Sequence, residues 1–408
     1  MIRTDLVTPS TTATATPPRL PTTTTAPSEL VFRRAINATS SDFYQHMAMA
    51  RNPSHKNFIF FSPVLCSLLS LMYAAAPKEL QEKMAKSMHM GSLAAGDWHK
   101  QLNGWLSTLV KTKELFKLNT GNAILHREGM PTTAPITEVM NQYSPMRHVF
   151  KNSQEAKKVT NDWVAEVTEG KITELLEDVP DEAVFLLASA AIFEGNWQTA
   201  FDEKETRVST FVNSDGTSTE VPMMHMDVDC KIAHFENVTI LEKPYLGNLS
   251  MFFVRPNFYP YRMNMNQAVL DLKTFMNRDT IQNMLDNFDR DMQLEKNHSI
   301  VIPRVNIKDK TNLLNELKET PLAKDILDAD FKEMFETKPG QKVKAPILTS
   351  EVQLTIDEKG TKIAAAAAAV FVLESLPMSF ELDCPFGMIL VDRSTQTILG
   401  MGQILKMQ

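Results

Sequence analysis

The chain of 408 residues is poor in cysteine, in net charge and in long apolar runs. Its three cysteines, Cys66, Cys230 and Cys384, are scattered and form no Cys-x-x-Cys pair, which excludes a disulfide framework. The net charge of -7 is modest for this length and is spread along the chain, which argues against a nucleic-acid binder. No run approaches the roughly 18 apolar residues that span a bilayer, so we expect no membrane partner.

The motifs of the common enzyme classes are missing as well. The chain contains no Gly-x-Ser-x-Gly elbow, no Walker loop, no Gly-x-Gly-x-x-Gly motif and no His-Glu-x-x-His motif. The nine histidines are scattered along the sequence. We therefore expect no metal, no cofactor and no catalytic residues of the chain's own.

The N-terminal segment differs in composition from the rest of the chain. Residues 8–28 are rich in Thr and Pro and contain almost no bulky apolar side chains, so they cannot offset the entropy lost on ordering. We expect a disordered tail over residues 1–28, as a plain linker or an O-glycosylated stalk, and one domain over residues 29–408. The N-terminus lacks the apolar core of a signal peptide, so the protein is intracellular or the chain begins after a removed leader.

A strand, a long loop and a hairpin follow one another near the C-terminus. Val352, Leu354 and Ile356 alternate with polar residues, which predicts a strand with one buried face. Residues 386–391 and 398–405 are two short apolar runs that predict a buried hairpin. The residues between strand and hairpin are too many for an ordinary turn, and loops of this length are usually functional. We expect the activity of the protein to lie in this loop.

The middle of the chain predicts a helix followed by strands. Residues 161–172 place apolar side chains within one turn and contain Gly170, a pattern typical of an amphipathic helix that ends at glycine. Residues 184–193 are almost continuously apolar, as in a strand buried on both faces. Residues 244–251 predict a further strand segment.

Short motifs occur in a fixed order along the chain. They are Phe61-Ser62-Pro63, the block from Asn161-x-Trp-Val to Gly170-Lys171-Ile172, Phe193 to Trp197, Val221 to Met224, Pro244-Tyr245 to Met251, Ile302-Pro303-Arg304, Glu358-Lys359-Gly360-Thr361 and Pro385-Phe386. In this order and spacing they resemble the serpin family over residues 29–408. The resemblance implies an α+β serpin fold with three β-sheets, about nine helices and an exposed reactive-centre loop.

The resemblance also implies an activity. In serpins a protease cuts the loop, becomes acylated, and is dragged across the molecule while the severed loop inserts into the largest sheet. From Glu358 to Glu374 an extended chain spans roughly 56 Å, which matches the roughly 56 Å diameter of a compact chain of this length. The expected partner is a serine endopeptidase, or a cysteine endopeptidase, and the inhibitor is expected to be a secreted monomer.

The reactive bond implied by the resemblance is Glu374-Ser375, counted from the hinge glutamate. Leu373 and Met378 are alternative residues for the cleavage. Trypsin-like enzymes do not favour a glutamate before the scissile bond, because their specificity pocket carries an aspartate that repels it. The hinge residues implied by the resemblance are Glu358, Gly360, Thr361, Ile363, Ala364, Ala365 and Ala366.

The hinge departs from the family pattern in two places. Lys362 and Ile363 replace residues that resemble Glu and Ala in typical inhibitors. By alternation Ile363 falls on the face of Thr361 and Ala365, which should enter the core, so its bulk would slow insertion. The alanines at 364–369 also permit a different interpretation, a surface helix, because Ala is the best helix former.

The gate under the main sheet departs from the family pattern too. Serpins usually have a hydrogen-bonded cluster of two serines, an asparagine and a histidine there. By position this chain has Leu65 and Leu68, Ser189, and Ser350 at those places, while Trp197 resembles the tryptophan at the top of the gate. We expect apolar packing in place of the polar cluster, which changes the gate without necessarily destabilising the fold.

Two further expectations concern glycosylation and function. Asn37, Asn237, Asn248 and Asn297 begin sequons, which permit glycosylation and secretion. The loop length favours a suicide-type protease inhibitor. The altered hinge and gate favour the alternative, a non-inhibitory serpin with a binding, carrier or storage role whose loop is a plain substrate or does not insert.

Overall fold

The computed structural model describes residues 27–111, 116–143, 146–257, 264–318, 320–337, 341–360 and 379–407. Within them lie eleven α-helices: α1 Pro27–Arg51, α2 Ser62–Ala75, α3 Lys78–Ser87, α4 Ala95–Lys111, α5 Ala134–Gln142, α6 Ser153–Val167, α7 Met265–Phe275, α8 Arg278–Asp286, α9 Phe288–Asp291, α10 Leu313–Glu316 and α11 Pro321–Asp328. Helices α9 and α10 have four residues each, so the other nine correspond to the predicted number.

Fourteen strands are found in the same ranges. They are β1 Phe58–Phe61, β2 Phe116–Arg127, β3 Met146–Phe150, β4 Phe185–Gly195, β5 Arg207–Val212, β6 Ser218–His234, β7 Val238–Pro244, β8 Leu249–Pro256, β9 Gln293–Pro303, β10 Val305–Asn312, β11 Ile347–Ile356, β12 Ser379–Glu381, β13 Phe386–Asp392 and β14 Thr397–Ile404. A five-stranded sheet has the order β10-β11-β4-β2-β3.

The remaining nine strands are connected through one long strand, β6. Their order is β1-β14-β13-β8-β7-β6-β9-β12, and β5 also pairs with β6. Residues 218–223 of β6 pair with β5, whereas residues 231–234 pair with β7, and the register with β9 shifts between Val228 and Cys230. Strand β6 therefore joins two sheets, and with the five-stranded sheet they form the three sheets that the sequence predicts.

The predicted elements around the loop are confirmed. Strand β11 contains the alternating residues, and β13 and β14 form the predicted antiparallel hairpin. The apolar run at 184–193 lies in β4, which is buried along almost its whole length. Residues 161–167 of the predicted helix lie in α6, which ends at Val167, three residues before Gly170. The helix also begins earlier than predicted, because Asn152 caps it by accepting a hydrogen bond from the Glu155 N–H.

One strand prediction is wrong. Residues 244–251 are not a single segment, because β7 ends at Pro244 and β8 begins at Leu249. Gly247 has a positive φ of 92°, a conformation that suits glycine at a tight turn. The chain therefore reverses direction here, and the two strands pair as a hairpin.

The five-stranded sheet is covered on both faces. One face packs on the main core, and the other packs on α6 and the segment after it. The approach of α6 is close at Gly121 of β2, where an added Cβ would lie 3.0 Å from Val167 Cγ1. Along β4 the two faces alternate: Leu187 and Ala191 belong to the main core, and Ala188 and Ala190 to the cluster under α6.

Some further properties bear on the sequence expectations. All three cysteines are free and buried. Among the described residues no helix is long and apolar enough to cross a membrane. The same part of the chain has no group of three or more His, Cys, Asp and Glu side chains arranged to hold a metal ion. Helix α1 begins at Pro27, two residues before the expected domain boundary at residue 29.

Candidate functional site: the seam and hinge turn of the five-stranded sheet

The central feature of the five-stranded sheet is a parallel junction between β4 and β11. Residues 347–354 of β11 pair in register with residues 186–193 of β4; we call this junction the seam. Its middle is built from small side chains on β4, Ala188 to Ala191, of which Ser189 lies opposite Ser350 of β11. Parallel ladders are slightly less stable per residue than antiparallel ones, so the seam is a weaker junction than its neighbours.

The predicted gate residues lie at or under the seam. Leu65 and Leu68 are buried in α2, with exposures of 3% and 1%. Ser189 is also buried, and its hydroxyl is within hydrogen-bond distance of Gly121 O (3.0 Å) and Asn122 Oδ1 (2.9 Å) on β2. The structure thus adds a polar contact at the gate that the sequence analysis missed.

The hydrogen bond of another buried serine, Ser62, was missed as well. Ser62 at the start of α2 is fully buried, and its hydroxyl lies 2.7 Å from that of Ser40 in α1. Ser40 in turn donates to the Ile36 carbonyl at 2.8 Å. Serine within an otherwise apolar stretch is the signal that could have identified it, because a buried hydroxyl needs a partner.

Trp197 joins the top of the seam to the end of β11. Its ring stacks on Tyr245, with centroids 4.1 Å apart and an interplanar angle of 16°. Its indole N–H donates to the Asp357 carbonyl at 3.0 Å, and its backbone N–H donates to the Lys359 carbonyl at 3.1 Å. The predicted gate tryptophan therefore holds the chain just where β11 ends.

The residues after β11 form a tight turn, which we call the hinge turn, from Asp357 to Gly360. The Gly360 N–H donates to the Asp357 carbonyl at 3.2 Å, and Gly360 has a φ of 101°. An added Cβ on Gly360 would lie 2.3 Å from Gly195 O and 2.5 Å from Trp197 N. Only glycine fits here, for both its backbone conformation and its contact with the end of β4.

Glu358 fixes the hinge turn to the neighbouring sheet. It is 4% exposed, and its carboxylate accepts hydrogen bonds from Arg304 Nε at 2.8 and 3.0 Å and from the Thr206 hydroxyl. The Phe201 N–H donates to its carbonyl at 2.8 Å. Burial acts to raise the pKa of Glu358, but the hydrogen bonds from Arg304 and Thr206 outweigh burial and lower the pKa below its ordinary value.

Lys359 adds a contact at the surface. Its ammonium lies 2.9 Å from Glu203 Oε1, and this hydrogen bond raises the pKa of Lys359. Because both side chains are exposed, the pair contributes little to stability. The hinge turn is therefore fixed mainly by Glu358, Gly360 and Trp197.

The rest of the predicted reactive segment lies outside the described residues. This applies to the hinge residues Thr361, Ile363, Ala364, Ala365 and Ala366, to the predicted reactive bond Glu374-Ser375, and to its alternatives Leu373 and Met378. The described chain resumes at β12, which pairs in parallel with β9. Residues 361–378 thus connect the end of β11 in one sheet to β12 in another.

The structure divides the four predicted sequons into two groups. Asn237, Asn248 and Asn297 are exposed. The expectation for Asn37 is wrong, because this residue is 3% exposed within α1. Its amide donates to the Gln396 carbonyl at 2.9 Å and accepts from the Ile398 N–H at 2.9 Å, so a glycan cannot be accommodated.

A buried lysine beneath Trp197 was also missed by sequence analysis. Lys243 of β7 is 3% exposed and donates to the Thr199 carbonyl at 2.6 Å. Its ammonium lies 5.7 Å from the Trp197 ring centroid and 4.6 Å from that of Phe201. Burial lowers the pKa of Lys243 to about 7.

The fold and the hinge turn define a class of protein: an α+β molecule in which a long segment leaves a fixed turn beside a parallel seam. A family model described as serpin (serine protease inhibitor) matches residues 34–407. The chain belongs to the serpin family.

Relatives and solved structures agree with this assignment. Alpha-1-antiproteinase of Rattus norvegicus is 27% identical over 385 residues, 91% of this chain and 89% of that protein. Alpha-1-antitrypsin 1-2 of Mus musculus is 28% identical over 371 residues, 89% and 86% of the two chains. Human glycosylated kallistatin superposes with a TM-score of 0.80 at 19% identity, over 93% of this chain and 99% of that one. A complex of thyroxine-binding globulin with thyroxine superposes with a TM-score of 0.77 at 22% identity, over 91% and 98%.

Proposed function

We propose that this serpin is a suicide-type inhibitor of a serine endopeptidase, or of a cysteine endopeptidase, cleaved at about Glu374-Ser375. The observation that carries the proposal is the parallel seam between β4 and β11 next to the hinge turn. A strand that continues from the hinge turn and folds back would lie antiparallel to both β11 and β4. It would replace one parallel ladder by two antiparallel ones, which are the more stable kind.

The length of the severed segment supports the proposal. Residues 361–374, if extended, span roughly 46 Å, whereas the eight paired residues of the seam span roughly 26 Å. The segment can therefore cover the seam and carry an attached protease to its far end. Small misplacements of catalytic groups cost large rate factors, so distortion on arrival would leave the acyl-enzyme intact.

The location that we propose for the protein is extracellular. The exposed sequons Asn237, Asn248 and Asn297 support this, because glycosylation occurs in the secretory pathway. The proposed partner is the target protease alone, with the inhibitor acting as a monomer.

The experiment that tests the proposal is incubation with a panel of endopeptidases followed by denaturing electrophoresis. We expect a covalent complex that survives denaturation with at least one enzyme, together with cleavage at Glu374-Ser375 or, failing that, after Leu373 or Met378. Thermal melting before and after cleavage gives a second readout, since insertion should raise the midpoint steeply. Cleavage with full release of active protease and an unchanged midpoint would reject inhibition by insertion.

A specific feature of the sequence favours the second candidate, a non-inhibitory serpin with a binding, carrier or storage role. By strand alternation, Ile363 would lie on the face of the inserted strand that enters the core, where its bulk slows insertion. Ile363→Ala should therefore raise the ratio of trapped to released protease. Lys362→Ala, on the opposite face, is the matched control and should leave that ratio nearly unchanged. Equal ratios in both variants would contradict the parity argument.

A further inference from the structure

A cavity of about 740 Å³ lies between α1, α4 and the turn that connects β13 to β14. It is separate from the seam and the hinge turn, none of whose residues line it. Its volume falls in the range of roughly 300 to 1,000 Å³ that is typical of small-molecule sites. We propose that it binds a small amphipathic molecule with a flat ring body and both hydrogen-bond donor and acceptor groups.

One wall of the cavity is aromatic and is formed by side chains of α1, α4 and β2. Trp105 lines the cavity, and its ring packs edge to face on that of Phe32 of α1, with ring centroids 6.2 Å apart and an interplanar angle of 74°. Phe116 at the start of β2 lines it as well. Aromatic side chains fixed edge to face form a rigid apolar surface, which suits a flat ring system.

Three polar atoms without a hydrogen-bond partner belong to side chains that line this cavity. They are Gln101 Oε1, Trp105 Nε1 and Thr395 Oγ1, and each is buried. Buried polar atoms normally have partners, and leaving one unpaired is costly. Together they offer an acceptor, a donor and a hydroxyl. A ligand with both donor and acceptor groups supplies the missing hydrogen-bond partners after small side-chain rotations.

Charged side chains of both signs line the cavity and favour a polar end on the ligand; they are Arg33, Lys100, Glu29, Asp97 and Asp392. Lys100 of α4 is exposed and lines the cavity, one turn before Gly104. Arg33 of α1 also lines it, but it is paired with Glu29 and donates to the Thr395 carbonyl at 3.4 Å. Lys100 is therefore the cation that we assign to the polar end of the ligand.

Gly104 keeps the cavity open. It lies in the interior of α4 and lines the cavity, and an added Cβ there would meet nothing within 4 Å. Glycine in a helix interior is unfavourable relative to alanine, so the open space has an energetic cost. Gly96 in the same helix is equally free of neighbours but does not line the cavity, which provides a matched control.

The test uses the full chain and the dye anilinonaphthalenesulfonate, which combines a flat ring system, an N–H donor and a sulfonate acceptor. Calorimetric titration should give one saturable site per chain. Gly104→Leu, which fills the cavity, should raise the dissociation constant at least about tenfold, and Gly96→Leu should change it less than about twofold. Absence of saturable binding, or equal binding by the two variants, would overturn the proposal.

A second variant covers the case in which Gly104→Leu does not fold. Trp105→Phe keeps an aromatic ring but removes the N–H donor, and it should weaken binding about fivefold. Circular dichroism checks that each variant is folded. Unchanged affinity in a folded Trp105→Phe variant would contradict the role of the unpaired indole, and with it the ligand chemistry that we infer.

Discussion

The five-stranded sheet and the nine connected strands differ in how their members pair. Among the nine, every neighbouring pair is antiparallel except β9 with β12. In the five-stranded sheet two of the four pairs are parallel, β11 with β4 and β2 with β3. The nine connected strands, which we call the scaffold, are therefore joined almost entirely by antiparallel ladders, whereas the five-stranded sheet contains a parallel junction at the seam, the less stable kind of ladder.

Buried side chains are larger in the nine connected strands than in the middle of the seam. Strand β8 in the nine-stranded group buries Phe252 and Phe253 completely, whereas the middle of β4 at the seam has only alanine and serine. Removing neighbours from a large aromatic side chain costs several kcal/mol, but separating small side chains costs much less. We therefore expect the seam to open more readily than the nine connected strands, and the predictions that follow test this expectation.

The largest loss of stability is expected from a substitution in the hinge turn. Gly360→Ala would force a Cβ to within 2.3 Å of the Gly195 carbonyl, in addition to the cost of its positive φ. We expect the free energy of unfolding to fall by about 3 kcal/mol or more. Denaturant unfolding of the purified variant measures this.

The control separates the two causes of that loss. Gly216 also has a positive φ, 82°, but an added Cβ there would meet nothing within 4 Å. Gly216→Ala should therefore cost only about 1 kcal/mol. Equal losses in the two variants would mean that close contact with the end of β4 does not hold the hinge turn.

Lys243 lies beneath Trp197, which contacts the hinge turn, and its burial makes stability depend on pH. Burial lowers its pKa from an ordinary value of 10.5 to about 7. Between these values the unfolded chain binds a proton that the folded chain has released, so stability rises as pH increases across this window. Across the whole window the rise should be on the order of 5 kcal/mol, at about 1.4 kcal/mol for each pKa unit.

Replacing the lysine removes that dependence. Lys243→Met should flatten the increase in the free energy of unfolding between pH 7 and pH 10, whereas Lys204→Met, at an exposed position, should keep it. Urea unfolding at several pH values measures both variants. A slope in Lys243→Met equal to that of the unchanged protein would show that another group titrates in this window.

Lys243 also illustrates why part of the site was not predictable. The family resemblance implied the fold, the hinge residues Glu358 and Gly360, and the gate residue Trp197. Local patterns predicted strand β11 and the hairpin of β13 and β14, because they record strand alternation and turn chemistry. A lysine at the end of an apolar strand is an ordinary surface pattern. Its burial depends on Trp197 and Phe201, which are distant in sequence and whose packing no local period records.

The prediction of a glycosylation site at Asn37 is wrong for a related reason. The motif Asn-x-Thr specifies residue types, but whether the asparagine is accessible depends on tertiary contacts. Here Asn37 binds the backbone of Gln396 and Ile398 across more than three hundred residues of sequence. The reversal at Gly247 was missed because an apolar run on both sides of a short turn looks like one strand.

The ion pair between Arg304 and Glu358 tests how the hinge turn is attached to the scaffold. Arg304→Gln leaves the buried carboxylate without its cation, so the free energy of unfolding at pH 7 should fall by about 2 kcal/mol. Arg207→Gln, at the exposed pair with Glu205, should cost less than about 0.5 kcal/mol.

The pH dependence of this loss has a defined sign. Because the pKa of Glu358 is lowered in the folded protein, its contribution is present above the ordinary value of 4.5 and is lost as pH falls through the lowered value. The difference between Arg304→Gln and the unchanged protein should therefore narrow in acid. A difference that stays constant from pH 7 to acid would show that the guanidinium acts by packing rather than by charge.

The smallest expected effect distinguishes opening of the seam from opening of the whole molecule. Ser189 and Ser250 are both buried serines with a carboxyl or amide oxygen as partner, Asn122 at 2.9 Å and Glu242 at 2.7 Å. Replacing either by alanine should cost about 1 kcal/mol, the usual value of one hydrogen bond.

If the seam opens as a local unit, Ser189→Ala should accelerate hydrogen exchange of the β4 and β11 amides several-fold and leave β8 unchanged, because local opening is governed by local contacts. Ser250→Ala should not show that pattern, and identical exchange profiles in the two variants would mean that the seam and the scaffold unfold together.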